Sequence, residues 1–273
     1  MGDWKSAFAV ALSKSSIDHA IECLQSQAIS HAGTAPAKTK IQAIEMMSHY
    51  WSGRPNELFQ VARKLCLFDD PTAQEIGAFL LAESYSGAQS EVCTILRKLS
   101  DNPNWEVREW VASACGEILI GHFDQFFRDI STWVFDDSPN VRRTALLALM
   151  YAGKSRNVDY AAPILDTVET LMTDGNPYVR KNLGPYALGS GLIKYYPDQV
   201  LERLHLWVNS KDEQVRWNVA MVFTAAAGAA YAERARPVLE TLQSDPSPLV
   251  RRATVRAMKN VRRRFPELWQ DGE

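Results

Sequence analysis

Cysteine is scarce in this chain, and the four that occur are spent singly: Cys23, Cys66, Cys93 and Cys115 include no CxxC pair. That pattern excludes a zinc ribbon, a dithiol redox motif and a disulfide framework, and it fits a reducing compartment, the cytoplasm. Histidine is equally thin. His19, His31, His49, His122 and His205 are scattered and none forms HExxH, so no metal site is expected. Long apolar runs are missing, and none approaches the length of a membrane span. The opening MGDWKSAFAVALSKSS has too short an apolar run for a secretion-signal core, with Asp3 just before it, so no leader is expected. Its Met1-Gly2 and Ser6 match a lipidation pattern so short that chance supplies it. Strand-type alternation is scarce as well. No nucleophile motif or Ser/His/Asp arrangement stands out, which removes the conventional hydrolases. A net charge of −2 does not mark the whole chain as a nucleic-acid binder.

What the sequence does have is a repeat. The stretch Asp101–Leu119, DNPNWEVREWVASACGEIL, reads as a polar turn opening a helix, with Val107, Trp110, Val111, Ala114, Cys115 and Ile118 forming one buried stripe. Glu106, Glu109, Ser113 and Glu117 lie on the other side. The same design recurs as DDSPNVRR, DGNPYVRK, SKDEQVRW and SDPSPLVRR. The valines of the Val-Arg pairs fall at Val107, Val141, Val179, Val215 and Val250, in steps of 34, 38, 36 and 35 residues. Amphipathic helices precede the later pairs at Phe123–Val134, Pro163–Met172, Gln199–Val208 and Pro237–Leu242. The unit of helix, tight turn and Val-Arg helix resembles the HEAT repeat, so the fold class expected is an all-α solenoid built of stacked helix pairs. Hydrophobic content of 46% is ample for its core.

One α-solenoid domain is expected over 1–273, irregular over 1–100 and regular over 101–273. In the first part, Trp4–Ser30 reads as one or two helices and His31–Lys40 as a polar loop. Ile41–Trp51 and Pro55–Phe68 read as a helix pair, Thr72–Tyr85 as a degenerate repeat helix, and Ser90–Leu99 as the helix before the Trp105 repeat. Gly184-Pro185 and Gly189-Ser190-Gly191 fall inside the helix begun by Val179-Arg180 and should kink or break it, with close packing as the ordinary cause.

The residues that follow each Val-Arg pair are Glu109, Arg143, Lys181, Trp217 and Arg252. In this repeat type the Val-Arg helix generally lines the concave face, which sets a carboxylate beside cations and an aromatic ring. Cations there can hold phosphates, Trp105 and Trp217 can press on a base or sugar, and the carboxylate can stabilise positive charge at a sugar carbon. Trp105 can equally shield its turn. The recurring Arg108, Arg142, Arg180, Arg216 and Arg251 read as structural, paired with turn acids such as Asp101, Asp136, Asp174 and Asp245. On the last Val-Arg helix, Arg252, Arg256, Lys259 and Arg263 form a basic stripe that is either a solvated end cap or a phosphate-binding surface.

The segment Asn104–Ala148 resembles the central part of the DNA alkylation repair proteins, the HEAT-like alkylpurine DNA glycosylases. The resemblance implies Trp105 followed four positions later by a catalytic carboxylate, Glu109, and a phosphate-binding arginine one repeat on, Arg143. A further lesion-facing aromatic of that family falls near Pro185, where Tyr186 stands. What is implied is excision of N3- or N7-alkylated purines from double-stranded DNA without metal or organic cofactor, the lesion remaining stacked. The DNA contacts expected are Arg143, Lys181, Tyr186, Trp217, Arg252, Arg256, Lys259 and Arg263. The alternative is a non-enzymatic scaffold that holds a protein or peptide in its concave groove.

Overall fold

The computed structural model describes residues 4–268; the leader and lipidation readings at Met1, Gly2 and Asp3 lie outside them. Every regular element among the described residues is helical, as the 3.6-residue periodicity requires. None of these helices is long and apolar enough to cross a membrane. The chain divides into two compact units, residues 1–129 and 130–273.

The first unit holds α1 (Trp4–Ser13), α2 (Ile17–Gln25), α3 (Ala37–Tyr50), α4 (Pro55–Leu67), α5 (Pro71–Glu83), α6 (Gln89–Leu99) and α7 (Trp105–Gly121). Its centre is α5, the helix read as a degenerate repeat, which packs on α2, α3, α4, α6 and α7. Asp70 caps it by accepting from the Ala73 amide, and Gly77 lets α4 approach so closely that a Cβ would stand 2.8 Å from the Cys66 sulfur. The loop expected over His31–Lys40 is shorter than its polarity implied. Helix α3 begins at Ala37, directly after Pro36, and Lys40 is drawn into the interior.

After α8 (Phe123–Trp133) come α9 (Pro139–Ala152), α10 (Ala161–Thr170), α11 (Pro177–Asn182), α12 (Pro197–Trp207), α13 (Glu213–Val222), α14 (Ala226–Ala229), α15 (Arg236–Gln243) and α16 (Pro248–Arg264). In the second unit α9 packs on α11, the segment after α11 (Leu183–Gly191) packs on α13, and α13 packs on α16, with α10, α12 and α15 packed on α9, α13 and α16 respectively. HEAT-like all-α stacking is the fold.

The repeat turn has one local solution. Asn104, Ser138, Asn176, Asp212 and Ser247 all hold an extended backbone, and each side chain accepts the amide two residues on, at 3.0, 3.2, 2.9, 2.7 and 3.2 Å. In four of the five pairs the arginine then closes the turn. Arg108, Arg142 and Arg251 donate to the carbonyls of Asn102, Asp136 and Asp245 at 2.5, 2.8 and 2.5 Å. Arg142 also reaches forward to Asp174, and Arg216 to Asp245, both at 2.6 Å. Pairing with a turn acid is thus seen for Arg142 and Arg216, Arg108 and Arg251 close their turns through backbone carbonyls, and Arg180 lies over the Trp217 ring.

The glycine-rich segment does interrupt its helix. After Asn182 the chain runs as a π-helix over Leu183–Gly191. Close packing is the reason: a Cβ on Gly184 would sit 2.6 Å from the Asn218 carbonyl oxygen, and one on Gly189 2.4 Å from that of Val222.

Candidate functional site

In the first unit the site candidates start at the first turn of α7. Trp105 is 53% exposed, while Val107, Val111, Ala114, Cys115 and Ile118 turn inward as the stripe requires. Glu109 stands one turn after Trp105, outside that stripe and only partly exposed. Trp110, read as core, is also partly exposed. Its ring meets Phe79 edge-on at 5.1 Å, and the Lys40 ammonium stands 4.5 Å from its centroid.

Behind this turn lies a buried polar network that the sequence does not single out. Lys40 (1% exposed) donates to Glu75 (0% exposed) at 2.7 Å. Lys40 also reaches the Thr34 hydroxyl at 3.5 Å, and Thr34 donates to Glu106. Ser30 adds a second bond to Glu106 at 3.0 Å. Burial pushes the Glu75 carboxyl up to about 7, with Lys40 pulling it down and the Glu106 and Asp70 charges adding to the rise. Its Oε1 has no hydrogen-bond partner. The sequence signal that could have found it is a carboxylate embedded in the apolar face of Thr72-Ala73, Ile76 and Leu80.

Cys115 is a core residue, as its place on the apolar face implied. Cys66, Cys93 and Cys115 are buried, and desolvation pushes the Cys66 and Cys115 thiols far up and Cys93 up to about 12, away from reactive thiolates. Among the described residues no three His, Cys, Asp or Glu side chains gather where they could hold a metal ion.

In the second unit the structure brings Arg143 and Lys181 onto one ring. The Arg143 guanidinium lies 4.6 Å from the Tyr178 centroid and the Lys181 ammonium 4.9 Å from it. The two cations differ in access: Lys181 is exposed, whereas Arg143 is 5% exposed, with Nη2 3.5 Å from the Asn182 amide oxygen. Trp217 is partly exposed beneath Arg180 at 5.6 Å, and Tyr186 projects from the π-helix at 40% exposure. Arg252, Arg256, Lys259 and Arg263 are all exposed on α16. Three of them, Arg256, Lys259 and Arg263, line a concavity of about 250 Å³ with Thr224 and Asn260.

A family model described as DNA alkylation repair enzyme matches residues 42–186, more than half of the chain. The chain belongs to the DNA alkylation repair enzyme family. The matched stretch of this alkylation-repair protein contains Trp105, Glu109, Arg143, Lys181 and Tyr186. A model of HEAT repeats matches residues 164–259, which takes in Trp217, Arg252, Arg256 and Lys259. Among solved structures, AlkD2 from Streptococcus mutans is similar at 21% identity over 75% of this chain and 97% of that one, with a TM-score of 0.59. The structure of smu.31 from Streptococcus mutans UA159 is similar at 21% identity over 68% and 90%, with a TM-score of 0.56. These likenesses show the fold. No curated protein matches the chain.

Proposed function

We propose that this alkylation-repair protein binds duplex DNA and excises N3- or N7-alkylated purines. The observation that carries the reading is the exposed Trp105 one helical turn before Glu109, inside the stretch that matches the family. Alkylation leaves the purine cationic. When the bond between the sugar carbon and the purine nitrogen breaks, its electron pair passes to the base and neutralises it, while positive charge develops on the sugar. Glu109 stabilises that charge as a carboxylate fixed nearby. Water then forms the new bond to the sugar carbon and gives up one proton. Since the departing base is already a good leaving group, the reading needs neither a metal nor an organic cofactor. Trp105 is the aromatic proposed for the sugar or lesion in the first unit, Tyr186 and Trp217 are the aromatics proposed in the second, and the lesion stays stacked rather than flipped into a deep pocket.

Lys181, Arg252, Arg256, Lys259 and Arg263 are the proposed phosphate contacts, being exposed cations on the Val-Arg helices. Arg143 enters as a held charge: its small exposure and its place on Tyr178 make it a fixed source of positive potential beside Lys181. The singly placed, unbridged thiols fit a cytoplasmic setting. Two experiments test the two halves of the reading. Release of methylated base at single turnover, wild type against Glu109→Gln, tests the chemistry. The salt dependence of duplex binding tests the contacts, since a peptide held in an apolar groove would not show the same steep loss.

A further inference from the structure

The segment Ser30–Ala35 is a small closed loop. Backbone amides of Ile29 and Ser30 both donate to the Thr34 carbonyl, the Ser30 hydroxyl accepts from the Ala32 and Thr34 amides, and Gly33 holds φ +74, where a side chain would be strained. Its back is tied to the interior. The Ala35 amide donates to the Thr72 hydroxyl at 2.9 Å, and Thr34, 0% exposed, accepts from Lys40. Its front is tied to the first turn of α7 on both sides of Trp105. Asn104 donates to the Ala32 carbonyl at 2.8 Å, and Glu106 accepts from Ser30 and Thr34.

Burying Lys40 and Glu75 costs several kcal/mol per ion before their attraction is counted, and apolar side chains of similar volume often serve stability as well. What the pair supplies here is a fixed ammonium that holds Thr34 and, through it, Glu106. Glu106 and Glu109 are three residues apart and so are neighbours on the helix surface, where like charges repel. Committing Glu106 to the loop keeps that carboxylate turned to Thr34 and Ser30, at a set place relative to Glu109.

We propose that Thr34 and Lys40 are positioning residues: through Asn104 and Glu106 the Ser30–Ala35 loop sets the first turn of α7, and with it the placement of Trp105 and Glu109. The catalytic part of this proposal rests on the glycosylase reading above; the structural part does not. The test is Thr34→Val, which keeps the volume of Thr34 and deletes its hydroxyl, with Thr34→Ser as the conservative rescue. Two readouts are taken on variants whose thermal midpoints show them folded. The first is amide hydrogen exchange over residues 102–110. The expected result is exchange at least tenfold faster in Thr34→Val at the Glu106 amide, restored by Thr34→Ser. The second is single-turnover base release, expected to slow about tenfold while the duplex dissociation constant stays within a factor of two.

Wild-type exchange at the Glu106 amide in Thr34→Val overturns the proposal. So does faster exchange with an unchanged release rate in an active protein, because the loop would then be structural only. If the wild type releases no base, the glycosylase reading fails by itself, and the exchange result alone decides whether the loop sets the turn.

Discussion

Two buried carboxylates behave in opposite ways, and each makes a prediction. Burial alone would push the Asp245 carboxyl up, but bonds from Arg216 and the Ser247 amide, with the charges of Arg216 and Arg251, hold it below the ordinary range. Its stabilisation is therefore present above the unfolded carboxylate pKa and is lost as pH falls through the lower folded one. Asp245→Asn leaves Arg216 buried without its carboxylate and should cost about 3 kcal/mol, read by urea unfolding at neutral pH. Glu75 runs the other way. Its folded pKa of about 7 lies above the ordinary 4.5, so the folded state keeps a proton that the unfolded chain gives up. The Glu75 contribution to stability should fall as pH rises from about 4.5 to 7, by at most about 1.4 kcal/mol per pH unit. Glu75→Gln should flatten that part of the pH profile even though it also breaks the Lys40 pair.

At the scale of elements, the repeat turn ties sequence to architecture most directly. An Asn, Ser or Asp at the cap, a proline or acid within the first turn and, in four of the five repeats, an arginine four residues after the cap together close the turn and set the helix. Ser138→Ala should remove one capping bond and cost about 1 kcal/mol. Gly184→Ala should cost more, about 1–3 kcal/mol, because its Cβ would meet the Asn218 backbone and not a side chain able to swing away. Calorimetric midpoints of the two variants test that order. The repeat was legible because each unit obeys the same local rule. The interruption after Asn182 was legible too, through Gly184, Pro185, Gly189 and Gly191, but its π-helical form was not. That form depends on how near α13 comes, which no single segment encodes. The start of α3 at Ala37 was hidden for a similar reason: Lys40 reads as a loop residue until Glu75, thirty-five positions on, supplies its partner.

For the whole molecule, a net charge of −2 conceals segregation, since α16 carries its cations along an exposed side. Duplex affinity should therefore fall steeply with salt, and replacing Arg252, Arg256 and Lys259 together by glutamine should lower the slope of log K against log salt by roughly 3. An unchanged slope would remove α16 from the interface. The family was legible in Asn104–Ala148, where Trp105 and Glu109 stand one turn apart on a Val-Arg helix and Arg143 follows one repeat later. The accessibility of Arg143 was not. A position after Val-Arg looks solvent-facing in one repeat, and only the packing of α9 and α11 brings it down onto Tyr178. The proposed assistance of Glu109 in releasing alkylated purines is tested by single-turnover release of methylated base from duplex DNA. Measurable release is expected of the wild type, and at least hundredfold slower release of Glu109→Gln with duplex binding retained. Equal release by the two proteins would contradict a role for Glu109, and no release by a folded, DNA-binding wild type would contradict the enzyme.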